Sequence, residues 1–185
     1  MQMKQTTVFV TYNPGNPLEQ TIATRLHTIG AVSGFRVYLP DRYNSISILD
    51  EETKSRINQS DYVVMFSLGK LSSIVKQEIQ TAFKHIGDKS KIIVVYDKHK
   101  GKNLTGEIAK HFTPFYFDKY SNKQDELLKA IASTITQKSK TDTIAKPRLT
   151  AVKKQKQANE TNALAALLGV GIGLLVLGAL SSSKK

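Results

Sequence analysis

The sequence predicts an α/β protein: a five-stranded parallel sheet with helices on both faces, followed by a helix that spans a membrane. Three observations carry this. Short β-branched and aromatic runs alternate with helix-period segments between residues 6 and 136, the order that a parallel sheet with crossover helices produces. Runs such as Val8–Val10, Val63–Phe66 and Ile92–Val95 are apolar without alternation, as strands covered on both faces must be. Residues 163–180, ALAALLGVGIGLLVLGAL, carry neither a charge nor a polar side chain.

Taken in order, Thr6–Tyr12 (TTVFVTY) reads as the first strand. Asn16 caps a helix whose first position is Pro17. Leu18, Ile22, Leu26 and Ile29 form its apolar face, and Gly30 is expected to stop it. Phe35–Leu39 is a second strand, Leu49–Gln59 a shorter polar helix, and Tyr62–Ser67 a third strand. The helix beginning SSIVKQEIQTAF spans Ser72–Phe83, and Lys91–Tyr96 is the fourth strand. LTGEIAKHF reads as a helical turn or two, Pro114–Phe117 as an edge strand, and Leu127, Leu128, Ile131 and Ile135 mark the last helix.

Length and composition bound the rest. The 185 residues suit one domain of ordinary size with an appendage, and 40% hydrophobic against 23% charged residues is a globular balance. There is no cysteine, which excludes disulfides and thiolate metal sites. His27, His85, His99 and His111 stand apart in sequence, so no metal site is expected. The start, MQMKQTTVFVTYN, has no long apolar run behind a basic head, so no signal peptide is expected there. The net charge of +12 is unevenly placed: residues 1–137 hold 18 Lys/Arg against 13 Asp/Glu, and residues 138–185 hold 9 against 2.

That asymmetry divides the chain into a domain over 1–137, a basic polar linker over 138–162, a membrane helix over 163–180 and a short tail over 181–185. As a helix, the 163–180 run would be roughly 27 Å long, close to the hydrocarbon thickness of a bilayer. Gly169 and Gly173 form a GxxxG pair, a spacing that lets two helices approach closely in lipid. Lys146, Arg148, Lys153, Lys154 and Lys156 precede the run, and only Lys184 and Lys185 follow it. This bias predicts a single-pass protein with its N-terminal domain in the cytoplasm. The basic flank contains no aromatic residues for base stacking, so anionic lipid rather than nucleic acid is the expected partner.

In a parallel sheet, ligands bind outside the carboxyl ends of the strands. Those ends are Tyr12–Gly15, Pro40–Tyr43, Ser67–Lys70 and Asp97–Lys100. The loop NPGN has no GxGxxG, and neither a P-loop nor a Gly-x-Ser-x-Gly elbow occurs, which disfavours dinucleotide-binding Rossmann, NTPase and common hydrolase readings. One acid stands out. With Val75 at zero on a helical wheel, Ile79, Ala82, Phe83 and Ile86 fall between about −20° and 80°, while Glu78 falls near about −60°. Glu78 is therefore expected half-buried at the edge of the apolar stripe, within about two turns of the rim.

These pieces, in this order, resemble a Toll/interleukin-1 receptor (TIR) domain over about residues 1–137. VFVTYN is similar to the family's first strand, GFRVYLPDR to the second strand leading into its long BB loop, and RINQSDYVVMFS to the block around the third. SSIVKQEI resembles the signature S-x-W-x-x-x-E, and KIIVVYD the fourth strand. Ile74 stands where the family commonly has tryptophan, and DRYNSISILDEE lacks the usual Pro-Gly pair. The resemblance implies a flavodoxin-like TIR fold and, for the family's enzymatic branch, cleavage of the nicotinamide–ribose bond of NAD with Glu78 as the catalytic residue. NAD would be the substrate, and no cofactor is implied.

A lone carboxylate suits that chemistry. Nicotinamide is cationic in NAD and leaves neutral, so no general acid is needed, and the growing oxocarbenium charge on the ribose is what a carboxylate can steady. Tyr12, Asn13, Tyr43 and Ser73 lie at or near the same rim as candidate substrate-binding residues. Each has a plainer alternative, as a strand end, a turn or a helix cap. Asp41 and Arg42 are candidates for a TIR–TIR assembly loop, or are simply solvated. Three functions are consistent with the sequence: a membrane-anchored NAD nucleosidase in immune or anti-phage defence; a non-catalytic TIR adaptor; and a nucleoside deoxyribosyltransferase-like enzyme, which a membrane anchor disfavours. The first two imply self-association, with a sensor upstream or an effector downstream.

Overall fold

The structure, a computed structural model, describes residues 5–42, 48–102, 104, 107–121 and 123–144. The predicted linker beyond residue 144, the 163–180 run with its GxxxG pair, and Tyr43 lie outside the described residues. Among the described residues no helix is long and apolar enough to cross a membrane.

Five strands, β1 (Thr7–Thr11), β2 (Arg36–Tyr38), β3 (Tyr62–Ser67), β4 (Ile92–Asp97) and β5 (Thr113–Phe117), form one parallel sheet in the order β2-β1-β3-β4-β5. This is the flavodoxin-like order, whose ligand crevice lies where the chain reverses direction across the sheet, between β1 and β3. The helices are α1 (Pro17–Ser33), α2 (Glu51–Gln59), α3 (Ser73–His85) and α4 (Gln124–Ile144).

The period-two alternation of each strand sorts the core into two layers. Val8, Val10, Val64, Phe66, Ile93 and Val95 pack beneath α1 and α4, through Ile22, Leu26, Leu128 and Ile131. Phe9, Val63, Met65, Ile92 and Val94 pack beneath α2 and α3, through Ile57, Ile74, Val75 and Ile79. Thr11, two residues after Phe9, therefore faces the α2–α3 layer at the carboxyl end of β1. That register places a hydroxyl under the helix bearing Glu78.

Two expectations about boundaries need correction. Gly30 does not stop α1. The helix runs to Ser33, and Gly34 (φ 86°) is the left-handed cap, its N–H returning to the Gly30 carbonyl. Gly30 serves packing instead: a Cβ there would lie 2.6 Å from Phe35 Cε2 and 2.7 Å from Val37 Cγ2. The last helix also runs past residue 137 to Ile144, and Lys138 Nζ donates to the Ser90 carbonyl at 2.9 Å and to Thr113 Oγ1 at 3.0 Å. That part of the expected linker is docked on the domain. Elsewhere the differences are a residue or two at element ends: Leu49 precedes α2, whose cap is Asp50, and the helical turn expected after β4 is a short 3-10 segment, Glu107–His111.

Gly30→Ala separates two effects of opposite sign. Helix propensity favours alanine by about 1 kcal/mol, whereas overpacking a filled core costs about 1–3 kcal/mol. Phe35 and Val37 are buried and have no solvent to turn into. Gly30→Ala is expected to lower stability by up to about 2 kcal/mol, read as a lower urea midpoint at unchanged slope. A gain in stability would show that the close approach of α1 to β2 is absent.

Candidate active site

Glu78 lies on α3, three residues beyond Val75, whose N–H is bound by the Ser72 side chain that caps the helix. Its residue exposure is 1%, so it is fully buried rather than half-buried at the stripe's edge. The reason is what covers it. Thr11 Oγ1 donates to Glu78 Oε2 at 2.5 Å from below. Arg42, from the loop after β2, donates through Nη1 to Oε1 at 2.7 Å and through Nη2 to Oε2 at 2.8 Å. This fork-on-fork geometry is the strong form of a carboxylate–guanidinium pair. The Arg42 side chain is 9% exposed, so it turns inward, away from the assembly surface or solvent expected of it. Its Nη2 also donates to the Tyr12 carbonyl at 2.7 Å, and the guanidinium carbon stands 5.0 Å from the Tyr12 ring centroid.

Tyr12 and Asn13, both expected near the site, are there and buried. Asn13 is fully engaged with protein. Its Oδ1 accepts from the Ser72 N–H at 2.8 Å. Its N–H and Nδ2 donate to a second buried carboxylate, Glu19, at 2.7 and 2.9 Å. Glu19 also accepts from the Leu68 N–H at 3.1 Å. One acid on α1 thus ties the end of β1 to the end of β3, and through Asn13 to the first turn of α3. Ser73 is exposed on that first turn, with Ser72 taking the capping role. Asp41 is exposed.

Glu19, Thr11 and the inward role of Arg42 escaped the sequence reading. Glu19 did leave a signal. It falls three residues before Ile22 and seven before Leu26, on the buried stripe of α1, and three residues after the Asn16 cap, a capping-box position.

Burial pushes the Glu78 carboxyl above its ordinary value, against the hydrogen bond and charge of Arg42 and the hydrogen bond from Thr11. Burial does the same to Glu19, against its hydrogen bonds from Asn13, Leu68 and Asn16. No group of acids and histidines among the described residues could hold a metal. A cavity of 520 Å³ lies elsewhere, between the end of β5 and the start of α4, lined by Lys98, Tyr116, Asp118, Lys123, Gln124 and Leu127 among others. It touches neither Glu78 nor its partners. Among the described residues, Arg42 lies over Glu78 at the switch point.

Comparison with known proteins adds the fold. No protein-family model matches the chain, and no curated protein matches it. Among solved structures, it is similar to the metal-soaked Flv1 flavodiiron core from Synechocystis sp. PCC6803, at 14% identity and a TM-score of 0.52, over 74% of this chain and 36% of that one. The chain thus spans about a third of that protein's length. A CMP N-glycosidase, BcmB from Clostridium botulinum, aligns at 19% identity and a TM-score of 0.44, over 68% of this chain and 97% of that one. A diflavin flavoprotein from Nostoc sp. aligns at 14% identity and a TM-score of 0.47, over 77% and 98%. The fold is flavodoxin-like.

Removing Glu19 should be costly. Glu19→Ala leaves three buried donors, the Asn13 N–H, Asn13 Nδ2 and the Leu68 N–H, without their acceptor, at about 1–3 kcal/mol for each one that water does not reach. The pH dependence has a definite sign. A carboxyl raised on folding binds its proton more tightly in the native chain, so its contribution is present below the ordinary carboxyl range and is lost as pH rises through the raised value. In thermal melts between about pH 4 and 8, the wild type should lose stability relative to Glu19→Gln as pH increases. A parallel pair of curves would contradict the raised direction.

Proposed function

We propose that this chain is a membrane-anchored, TIR-type enzyme that cleaves the nicotinamide–ribose bond of NAD, acting in immune or anti-phage defence. The observation that carries the reading is the placement of Glu78: an ionisable group withdrawn from water at the β1/β3 switch point, fixed by Thr11 and matched to a cation. Ligands of open α/β sheets bind at that point, and a buried acid there whose pKa is raised by desolvation is a candidate for chemistry.

In the reaction, the C1′–N bond of the ribose breaks and its electron pair passes to the pyridinium nitrogen, which leaves as neutral nicotinamide. Positive charge grows at C1′, where the Glu78 carboxylate stabilises it more than it stabilises the ground state. Water then bonds to C1′ and loses its proton, giving ADP-ribose. An adenine nitrogen or another hydroxyl in place of water gives a cyclised or conjugated product. Thr11 orients the carboxylate, and the Glu19–Asn13 knot fixes the turn from which α3 starts.

A second reading, the non-catalytic TIR adaptor, is favoured by one specific observation: both Glu78 oxygens are already bonded within the protein. The two readings part in one assay. Full-length protein in detergent or liposomes, at concentrations that promote clustering, is expected to release nicotinamide from NAD, and Glu78→Gln is expected to reduce the rate by at least about 10²-fold, the scale of a lost electrostatic stabiliser. If the wild type leaves NAD intact under those conditions, the adaptor reading replaces the enzyme.

The anchor proposal rests on the 163–180 run and its basic N-terminal flank. Confinement to a bilayer raises effective concentration and restricts orientation, and the GxxxG pair would add a lateral contact. Deleting 163–180 is therefore expected to release the protein from the membrane fraction and to lower NAD loss in cells at native abundance. Undiminished NAD loss from a soluble truncated chain would contradict a role for the anchor in assembly.

A further inference from the structure

Arg42 is held as a ligand would be held. Its side chain is nine-tenths buried, with one edge of the guanidinium bonded to Glu78 and its plane near the Tyr12 ring. The other side is unsatisfied: Nε is buried and makes no hydrogen bond among the described residues. A buried donor without an acceptor is a standing penalty. A recess shaped for guanidinium would offer an acceptor there. This one offers a carboxylate, the hydroxyl of Thr11, one carbonyl and an aromatic ring. It matches a flat cation with fewer donors than guanidinium.

We propose that Arg42 is an intramolecular competitor, occupying the place of a planar organic cation of the pyridinium class that binds between Tyr12 and Glu78. This deepens the reading of Glu78 as the substrate-facing acid and rests on it. Ligand entry exchanges one cation for another over the same carboxylate, so Glu78 is not left buried without a counter-charge. A neutral ring of the same shape cannot make that exchange, because displacing Arg42 would leave the carboxylate either stranded or forced to take up a proton, each at a cost the cation avoids. The site thereby discriminates by charge: oxidised nicotinamide dinucleotide is accepted and the uncharged dihydropyridine of its reduced form is rejected. After bond cleavage the departing nicotinamide is neutral, and Arg42 returns. Because the ligand must first displace Arg42, the apparent affinity of the resting protein is lowered by the fraction of molecules in which the recess is open.

The test uses a cation that cannot react, nicotinamide methylated at its ring nitrogen (hereafter N-methylnicotinamide), against neutral nicotinamide, with the full-length chain in detergent. Arg42→Ala is expected to melt below the wild type, to regain most of that loss at millimolar N-methylnicotinamide, and to regain none with nicotinamide. It should bind the cation at least about tenfold more tightly than the wild type, the size expected if the closed form dominates at rest. The double variant Arg42→Ala/Glu78→Gln should not respond to the cation. Equal binding by wild type and Arg42→Ala, or equal rescue by the neutral ring, would overturn the proposal. Should Arg42→Ala fail to fold, the wild type decides: with ¹⁵N-labelled arginine, the Nε–H resonance of Arg42 is expected to move to solvent-exposed frequencies as N-methylnicotinamide is added, and a resonance unmoved at saturating cation counts against displacement. No bond breaks with this probe, so its outcome is independent of NAD turnover. Loss of cleavage in Glu78→Gln together with no preference for the charged ring would overturn the competitor and leave the enzyme.

Discussion

A carboxylate buried at the rim of a parallel sheet has to be matched by donors, a cation or a proton, and the arrangement around Glu78 follows from that constraint. Unpaired, an ionised carboxylate in a dry interior costs far more than the net stability of a domain, so the group either protonates or finds a counter-charge. Here both tendencies are visible. Burial lifts the carboxyl's affinity for its proton, and a forked guanidinium at 2.7 and 2.8 Å holds the charged form. Buried pairs of this kind contribute little net stability against an apolar replacement of similar volume, while breaking one side costs about 3–5 kcal/mol. Such a pair is a poor device for stabilising a fold. It is a good one for holding a charge in reserve.

The rim that carries this charge is itself held by a second acid. Glu19 collects the N–H groups at the ends of β1 and β3, which a parallel sheet leaves without ladder partners as its strands diverge into loops. Asn13 relays that anchor to the first turn of α3. Thr11 reaches Glu78 only because the strand's alternation turns it toward α3, and α3 presents Glu78 only because its start is pinned by Asn13 and Ser72. Positioning of the acid therefore depends on two loops, β1–α1 and β3–α3, meeting at one carboxylate about two turns of helix away from the site.

Most of the architecture was legible in the sequence because it depends on local pattern. Continuous apolar strands, the Asn16–Pro17 helix start and the α3 stripe each specify their element without reference to distant residues. Gly30 was misread because glycine within an apolar helix pattern signals a stop by local rules, whereas here it makes room for Phe35 and Val37, whose approach no local rule contains. The same distinction governs the site. Glu78 could be singled out from its place on a helical wheel, but its depth could not, because that is set by Arg42, 36 positions away in the chain. By local rules Glu19 is no more than a first-turn acid at a helix N-terminus. Only the β1–β3 pairing, which brings Leu68 to within 3.1 Å of it, makes it the centre of a knot.

The closed pair also limits how such an enzyme could be switched on. A carboxylate that stabilises a cationic transition state is most effective where water is excluded, and the same exclusion makes an unoccupied site untenable unless something cationic fills it. Arg42 satisfies that requirement at rest, at the expense of access. Opening the site without ligand would cost Glu78 its counter-charge, so with Arg42 as competitor the open form is the minor one. Anything that offers Arg42 an alternative partner, such as an acidic surface on a second copy, would recover part of that cost and raise the open population, about tenfold for every 1.4 kcal/mol recovered. Assembly on a membrane would then act on the electrostatics of one side chain, with no rearrangement of the sheet.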